Sequence, residues 1–268
     1  MTDLSASLPT RSAQRGRQLP RLAAAAALAL TFALTSCAEL STLLEAAEVS
    51  VAPSVTNETA PGAPQFADPG FTTLDVTASE LLAALPVKGR APKTGFDRDE
   101  QFGRAWIDVD LNGCDTRNDI LLRDLTDTTV DDRCRVLTGV LNDPFTGERI
   151  DFVRGEHTSP RVQIDHVVAL SDAWQKGAQA LNHDARVRLA NDPLNLIAVD
   201  GPTNAAKGDS DAASWLPPQR AFRCEYVARQ VSVKAAYALW VTAAERDAIA
   251  AVLRECPGQP AYAAELAR

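Results

Sequence analysis

The stretch QIDHVVALSDAW, residues 163–174, sets the carboxylate of Asp165 beside the imidazole of His166 at the head of an apolar run. An oxygen donor next to the one side chain whose ordinary titration falls between pH 5 and 8 can move protons or help to hold a metal ion. The same dipeptide also serves as the polar edge of a buried strand. The chain has three histidines, His157, His166 and His183, so a His-rich metal cluster requires all three to converge. His183, in LNHDAR, reads as a helix start and His157, in EHTSPR, as part of a polar loop, which leaves His166 as the histidine to place.

The surrounding pattern decides what could position it. Val162, Ile164, Val167 and Val168 predict a short strand ending near His166, and SDAWQKGAQAL predicts a helix capped by Ser171. ARVRLAND predicts a second helix that stops at Asp192, because Pro193 disfavours helical geometry in the residue before it. Leu194 to Val199 predict a second short strand, Asp200-Gly201-Pro202 a turn, and Thr203 the cap of a helix that carries Asn204 and Lys207 on one face, three residues apart. The order is strand, strand, helix, with His166 beside the first strand, Asn195 at the second and Asn204 on the helix. Each polar residue has a plainer reading taken alone: Asn204 as a helix-start residue, Asn195 as a turn residue after proline, Lys207 as a solvated lysine. Upstream, ASELLAAL predicts a helix capped by Thr77 or Ser79. Trp106 to Val109 alternates like a strand, a helix starts near Thr116, and Ile150, Phe152 and Val153 lie in a strand after turns at Asn142–Pro144 and Thr146-Gly147.

DHVVAL followed by NDPLNLIAVDGPTNAAKGDSD resembles the HNH endonucleases of the ββα-metal fold, in particular the branch that includes the C-terminal nuclease domain of GmrSD-type restriction enzymes. The resemblance is densest over 161–217 and extends less specifically through GCDTRNDILLRDL and FRCEYVARQVSVKAAYALWV. It implies an α+β fold, a ββα-metal core embedded in additional helices. It further implies a hydrolase of nucleic-acid phosphodiester bonds, DNA before RNA; the excess of acidic over basic residues adds the expectation of low sequence selectivity. By resemblance His166 is the general base, Asp165 and Asn204 present oxygens to one divalent cation, Mg²⁺ for preference, and Asn195 pins the loop that holds His166. Lys207, one helical turn beyond Asn204, becomes a candidate phosphate contact. The last position of the motif is asparagine where the family name has histidine, which shifts the metal preference toward a hard ion. Arg117, in GCDTRND beside a cysteine, is a second candidate phosphate contact, set against a structural salt bridge.

Compartment and charge are read from the rest of the chain. Arg11, Arg15, Arg17 and Arg21 precede an uncharged run from Leu22 that ends in Leu34-Thr35-Ser36-Cys37. This is the pattern of a signal peptide, 1–36, closing on a lipobox with Cys37 as the acylated residue. Residues 37–76, rich in Ala, Ser, Thr and Pro, read as a flexible tether, and 77–268 as one nuclease domain. The expected location is outside the membrane, held by a lipid or released, with no obligate protein partner. Removing 1–36, which carries four arginines and one aspartate, from a chain of 27 basic and 35 acidic residues leaves a net charge near −11. A strongly basic nucleic-acid footprint is therefore missing, and contact must rest on a local patch or a metal ion. Four further cysteines, Cys114, Cys134, Cys224 and Cys256, are expected to form two disulfides in an exported chain. Proximity favours Cys114 with Cys134 and Cys224 with Cys256, and a zinc site is the competing idea. The alternative to an enzyme is an exported, disulfide-stabilised module that binds nucleic acid or protein without turnover.

Overall fold

The structure, a computed structural model, describes residues 71–263 and Leu266. The expected signal peptide, the lipidation site Cys37 and the tether up to residue 70 lie outside the described residues. In chain order the elements are β1 (Thr73–Thr77), α1 (Ala78–Ala84), α2 (Arg98–Phe102), α3 (Thr116–Asp124), β2 (Leu125–Val130), β3 (Val136–Asn142), β4 (Arg149–Val153) and β5 (Val162–His166). They continue with α4 (Leu170–Gln175), α5 (His183–Asn191), β6 (Leu196–Asp200), α6 (Gly201–Lys207), α7 (Arg223–Ala236), α8 (Ala243–Leu253) and β7 (Pro260–Tyr262). Helix and sheet are thus mixed, an α+β arrangement.

Three small antiparallel sheets organise the chain: β1 with β7, β2-β3-β4, and β5 with β6. The β5–β6 pair runs from Val162 opposite Asp200 to His166 opposite Leu196. Because side chains alternate across a strand, its two faces meet two different cores. Val162 and Ile164 join Leu196 and Ala198 in a cluster with Ile120 and Leu121 of α3 and Leu141, Ile150 and Phe152 of the three-stranded sheet. Ile197 and Val199 face a larger cluster built from Phe102, Phe145, Trp174, Leu189, Tyr226 and Val231. Each such fully buried side chain contributes roughly 1.5–3 kcal/mol relative to exposure. The pair is therefore held from both sides, and what it carries at its ends is held with it.

Several expectations are met at their caps. Thr77 closes a capping box with Glu80 at the start of α1, Asp115 caps α3, and His183 opens α5 behind its cap Asn182. Others are corrected. Strand β1 begins at Thr73, inside the segment read as tether, because β7 returns to pair with it. Trp106–Val109 is not a strand: Trp106 adopts a left-handed backbone, φ 60°, and the Ile107 carbonyl accepts from the Thr116 hydroxyl, so a side chain takes a bond a ladder would need. Ser171 does not cap α4, which starts one residue earlier behind Ala169; its hydroxyl donates to Asp209 Oδ2 at 2.9 Å instead. Asp200, not Thr203, caps α6, accepting the Thr203 amide at 2.8 Å with Pro202 in the first turn.

Both disulfides form as proximity suggested, Cys114–Cys134 and Cys224–Cys256, which leaves these four thiols with no zinc to bind. A buried ionic group ties the helices below the β5–β6 pair. Lys176 reaches Asp172 (2.8 Å), Asp211 (2.6 Å) and Glu245 (2.6 Å), and Lys234 reaches Glu245 (2.8 Å) and Asp172 (3.2 Å). Charges removed from water persist only when paired in this way.

Candidate active site

The last two residues of β5 point to opposite faces of the pair, and each is fixed by a different neighbour. His166 is buried, 7% exposed, and its Nε2 lies 2.8 Å from the carbonyl oxygen of Ala190 at the end of α5. A carbonyl only accepts, so Nε2 carries the proton and Nδ1 keeps its lone pair. Trp106 stacks on the ring, centroids 6.1 Å apart at 20°. Burial, followed by the charge of Arg98, pushes the imidazole down to about 3. The ring is neutral and able to accept a proton at a defined atom.

Asp165 turns toward α6, where the strand spacing of two matches the helix spacing of three. Asn204 Nδ2 donates to Gln163 Oε1 at 2.9 Å, and Lys207 Nζ donates to Asp165 Oδ1 and to the His166 carbonyl, each at 2.8 Å. The second carboxylate oxygen, Asp165 Oδ2, is buried with no hydrogen-bond partner. Burial raises the Asp165 carboxyl above its usual range, with the Lys207 ammonium opposing it. An orphaned, buried carboxylate oxygen is costly, so the site holds a polar atom for which the described residues offer no partner.

Asp165, His166 and Asn204 line one cavity of about 350 Å³ together with Lys93, Arg98 and Asp209. Asp209 accepts from Lys93 (3.1 Å) and from Ser171, and these bonds, Ser171 first, hold its carboxyl below the usual range. Asn195 sits behind the cavity, fully buried. Its Oδ1 accepts the Val168 amide at 2.8 Å, its Nδ2 donates to Leu189 O at 3.1 Å, and its own carbonyl accepts from Val167. These bonds tie the loop after His166 to the end of α5, which also supplies the acceptor for Nε2.

Two expected contacts lie elsewhere. Lys207 is 1% exposed and lies beneath Asp165, because the buried carboxylate takes it as a partner; it does not line the cavity. Arg117 donates to the Val162 carbonyl at 3.1 Å, at the opposite end of β5 from His166. Burial and the neighbouring Arg154 lower its guanidinium from the usual value. Sequence reasoning missed Arg98, Trp106, Ser171 and Asp209. Arg98 and Trp106 stand sixty or more residues before His166 with no local pattern to link them to it. Among the described residues no group of three or more His, Cys, Asp or Glu converges to hold a metal ion.

No solved structure matches the chain. Over 182 residues it is 38% identical to an uncharacterised secreted protein of Arthroderma benhamiae, an alignment covering 67% of this chain and 85% of that protein. The family model for the C-terminal domain of GmrSD restriction endonucleases matches residues 115–252, which include the β5–β6 pair, α6 and every residue of the cavity except those contributed from before α3. The chain belongs to the family of GmrSD restriction endonuclease C-terminal domains.

Proposed function

We propose that the protein is an exported, metal-dependent endonuclease of the HNH type, with β5, β6 and α6 as its ββα-metal core. The observation that carries this reading is the pairing, in one cavity, of an imidazole whose Nε2 is spent on the Ala190 carbonyl and a carboxylate whose Oδ2 has no partner. The first is the geometry of a general base; the second is an oxygen waiting for a cation.

The donor set fits a hard divalent ion. Asp165 offers a carboxylate oxygen, and the bond from Asn204 Nδ2 to Gln163 leaves the amide oxygen of Asn204 as the atom on offer. Both are oxygen ligands of the kind Mg²⁺ takes, few in number, with water and phosphate completing the shell. A bound ion there would neutralise charge developing on the phosphate and the leaving oxygen. His166 Nδ1 takes the proton of the attacking water. The anion of an entering phosphodiester would offset the charge of Arg98, which is, after burial, one cause of the lowered imidazole pKa. Asn195 keeps the loop and the Ala190 acceptor in register, so the ring cannot swing its Nδ1 away.

Export is supported by the secreted relative, by the two disulfides and by the arginine-led apolar run that ends in Cys37. A lipid on Cys37 would hold the enzyme at the outer face of a membrane, where the acidic chain meets nucleic acid from the surroundings. The test is incubation of the full chain with plasmid, single-stranded DNA and RNA, each with Mg²⁺ or with EDTA. Nicking or linearisation of plasmid that requires the ion is expected, with DNA cut in preference to RNA. Binding without cleavage under every condition would favour the non-catalytic module.

A further inference from the structure

An enzyme for a polyanion needs cations at its site, yet the chain carries a net charge of −8. The cations nearest to the motif are occupied: Lys207 by Asp165, Lys93 by Asp209, and Arg117 by the carbonyl of Val162. Two are not. The guanidinium groups of Arg98 and Arg104 make no hydrogen bond or ion pair among the described residues, and both residues are exposed. Arg98 lines the cavity of Asp165, His166 and Asn204 and also the recess on the Trp106 side of His166; Arg104 lines that same recess.

Resting on the nuclease reading, we propose that Arg98 binds the non-bridging oxygens of the scissile phosphodiester and that Arg104 binds an adjoining phosphate of the same strand. Both residues precede the family-matched region. Their backbone is anchored while their side chains are free. Asp97 caps α2 by accepting the Glu100 amide at 2.8 Å. Phe102, 1% exposed, packs near Trp174, and Arg186 donates to the Gln101 carbonyl at 2.8 Å. Gly103, at φ 78°, turns the chain past Val187, whose methyl lies 3.1 Å from where a β-carbon would be. That turn brings Arg104 to the same recess as Arg98. Arg98 lines the cavity beside His166 and Asn204, so its charge stands at the position where the phosphate would react. A planar guanidinium on a fixed backbone is suited to bidentate capture of a phosphate, which an ammonium does not reproduce.

The experiment uses the full chain and the variants Arg98→Ala, Arg98→Lys, Arg104→Ala and, as a control for loss of any surface cation, Arg149→Ala. Arg149 lies on β4, paired with Asp151. Cleavage is measured on short single-stranded DNA and on bis(4-nitrophenyl) phosphate, and DNA binding is measured in EDTA across a salt series. Arg98→Ala is expected to lower kcat on both substrates by about 10²–10³-fold, with Arg98→Lys between it and wild type. Arg104→Ala is expected to raise KM for DNA more than for the small diester. Arg98→Ala and Arg104→Ala should each reduce the slope of log affinity against log salt by about one, and Arg149→Ala should change neither slope nor rate. Cleavage by Arg98→Ala at the wild-type kcat and KM overturns the clamp and leaves the nuclease reading standing. So does an equal loss in Arg149→Ala. Salt-dependent binding that needs Arg98 and Arg104, in a wild-type protein that cuts nothing, keeps the clamp and removes the nuclease.

Discussion

Replacing Lys207 by methionine tests whether the buried pair beneath the cavity is a structural element. Lys207 Nζ is the side-chain donor to Asp165 Oδ1 and also satisfies the His166 carbonyl, each at 2.8 Å. Both side chains are nearly closed to water, at 0% and 5% exposure. Methionine matches the stem but carries no donor, so the substitution leaves a buried carboxylate with both oxygens bare and a carbonyl without its partner. Removing one member of such a pair costs about 3–5 kcal/mol. For a domain of this size, at roughly 2–4 °C per kcal/mol, that corresponds to a fall in Tm of about 6–20 °C. Urea unfolding followed by circular dichroism, without added metal, gives the free energy directly. Asp165→Asn, which removes the charge that Lys207 compensates, should rescue a large part of the loss, with a coupling of about 2–3 kcal/mol in the double-mutant cycle. A loss below about 1 kcal/mol, or strict additivity of the two substitutions, would falsify the reasoning.

The two disulfides close loops with sequence separations of 20 and 32, worth about 3–4 kcal/mol each in the chain-entropy model, so reduction should lower Tm markedly; mass spectrometry of unreduced protein should find the 114–134 and 224–256 peptides linked. Asp119 is expected to be a stability liability at neutral pH. Burial, with Asp110, Asp108 and Asp115 around it, raises its carboxyl above the usual value, against the bond from Asn112. The associated stability is fully present below the unfolded value of about 3.9 and is lost as pH rises through the folded one. Asp119→Asn should therefore raise stability at pH 7, by less than about 1 kcal/mol for a group that is only half-buried, and flatten the acid side of the Tm profile. An unchanged Tm across pH 3 to 7 counts against it.

The strand-strand-helix order around His166 was legible because the alternation in VQIDH, the apolar run LIAV, the Pro193 stop and the Asp200-Gly201-Pro202 turn are all local signals. The cysteine pairs were legible for the same reason, being near in sequence. The caps of α4 and α6 were off by two and three residues. At α6 Asp200 and Thr203 both can cap, and the carboxylate won by accepting both the amide and the hydroxyl of Thr203. The role of Lys207 could not be read, since a lysine three residues beyond Asn204 looks solvated until the strand below it is seen to carry a buried carboxylate at the matching register. Arg98, Trp106 and Asp209 were invisible because nothing in their own neighbourhoods marks them. They reach His166 only through the packing of α2 against α5 and of the loop after α6 against α4.

Single-turnover cleavage of plasmid with Mg²⁺ by the wild-type chain, His166→Ala and His166→Gln tests the central claim most directly. Near-ultraviolet circular dichroism and urea unfolding on the same samples establish that the fold is kept, and glutamine offers an amide in place of the Nε2 donor to Ala190. With His166 as the base, both variants should bind DNA about as well as wild type and cut it roughly 10²–10⁴-fold more slowly. A correctly folded His166→Ala that cuts at close to the wild-type rate would contradict the account.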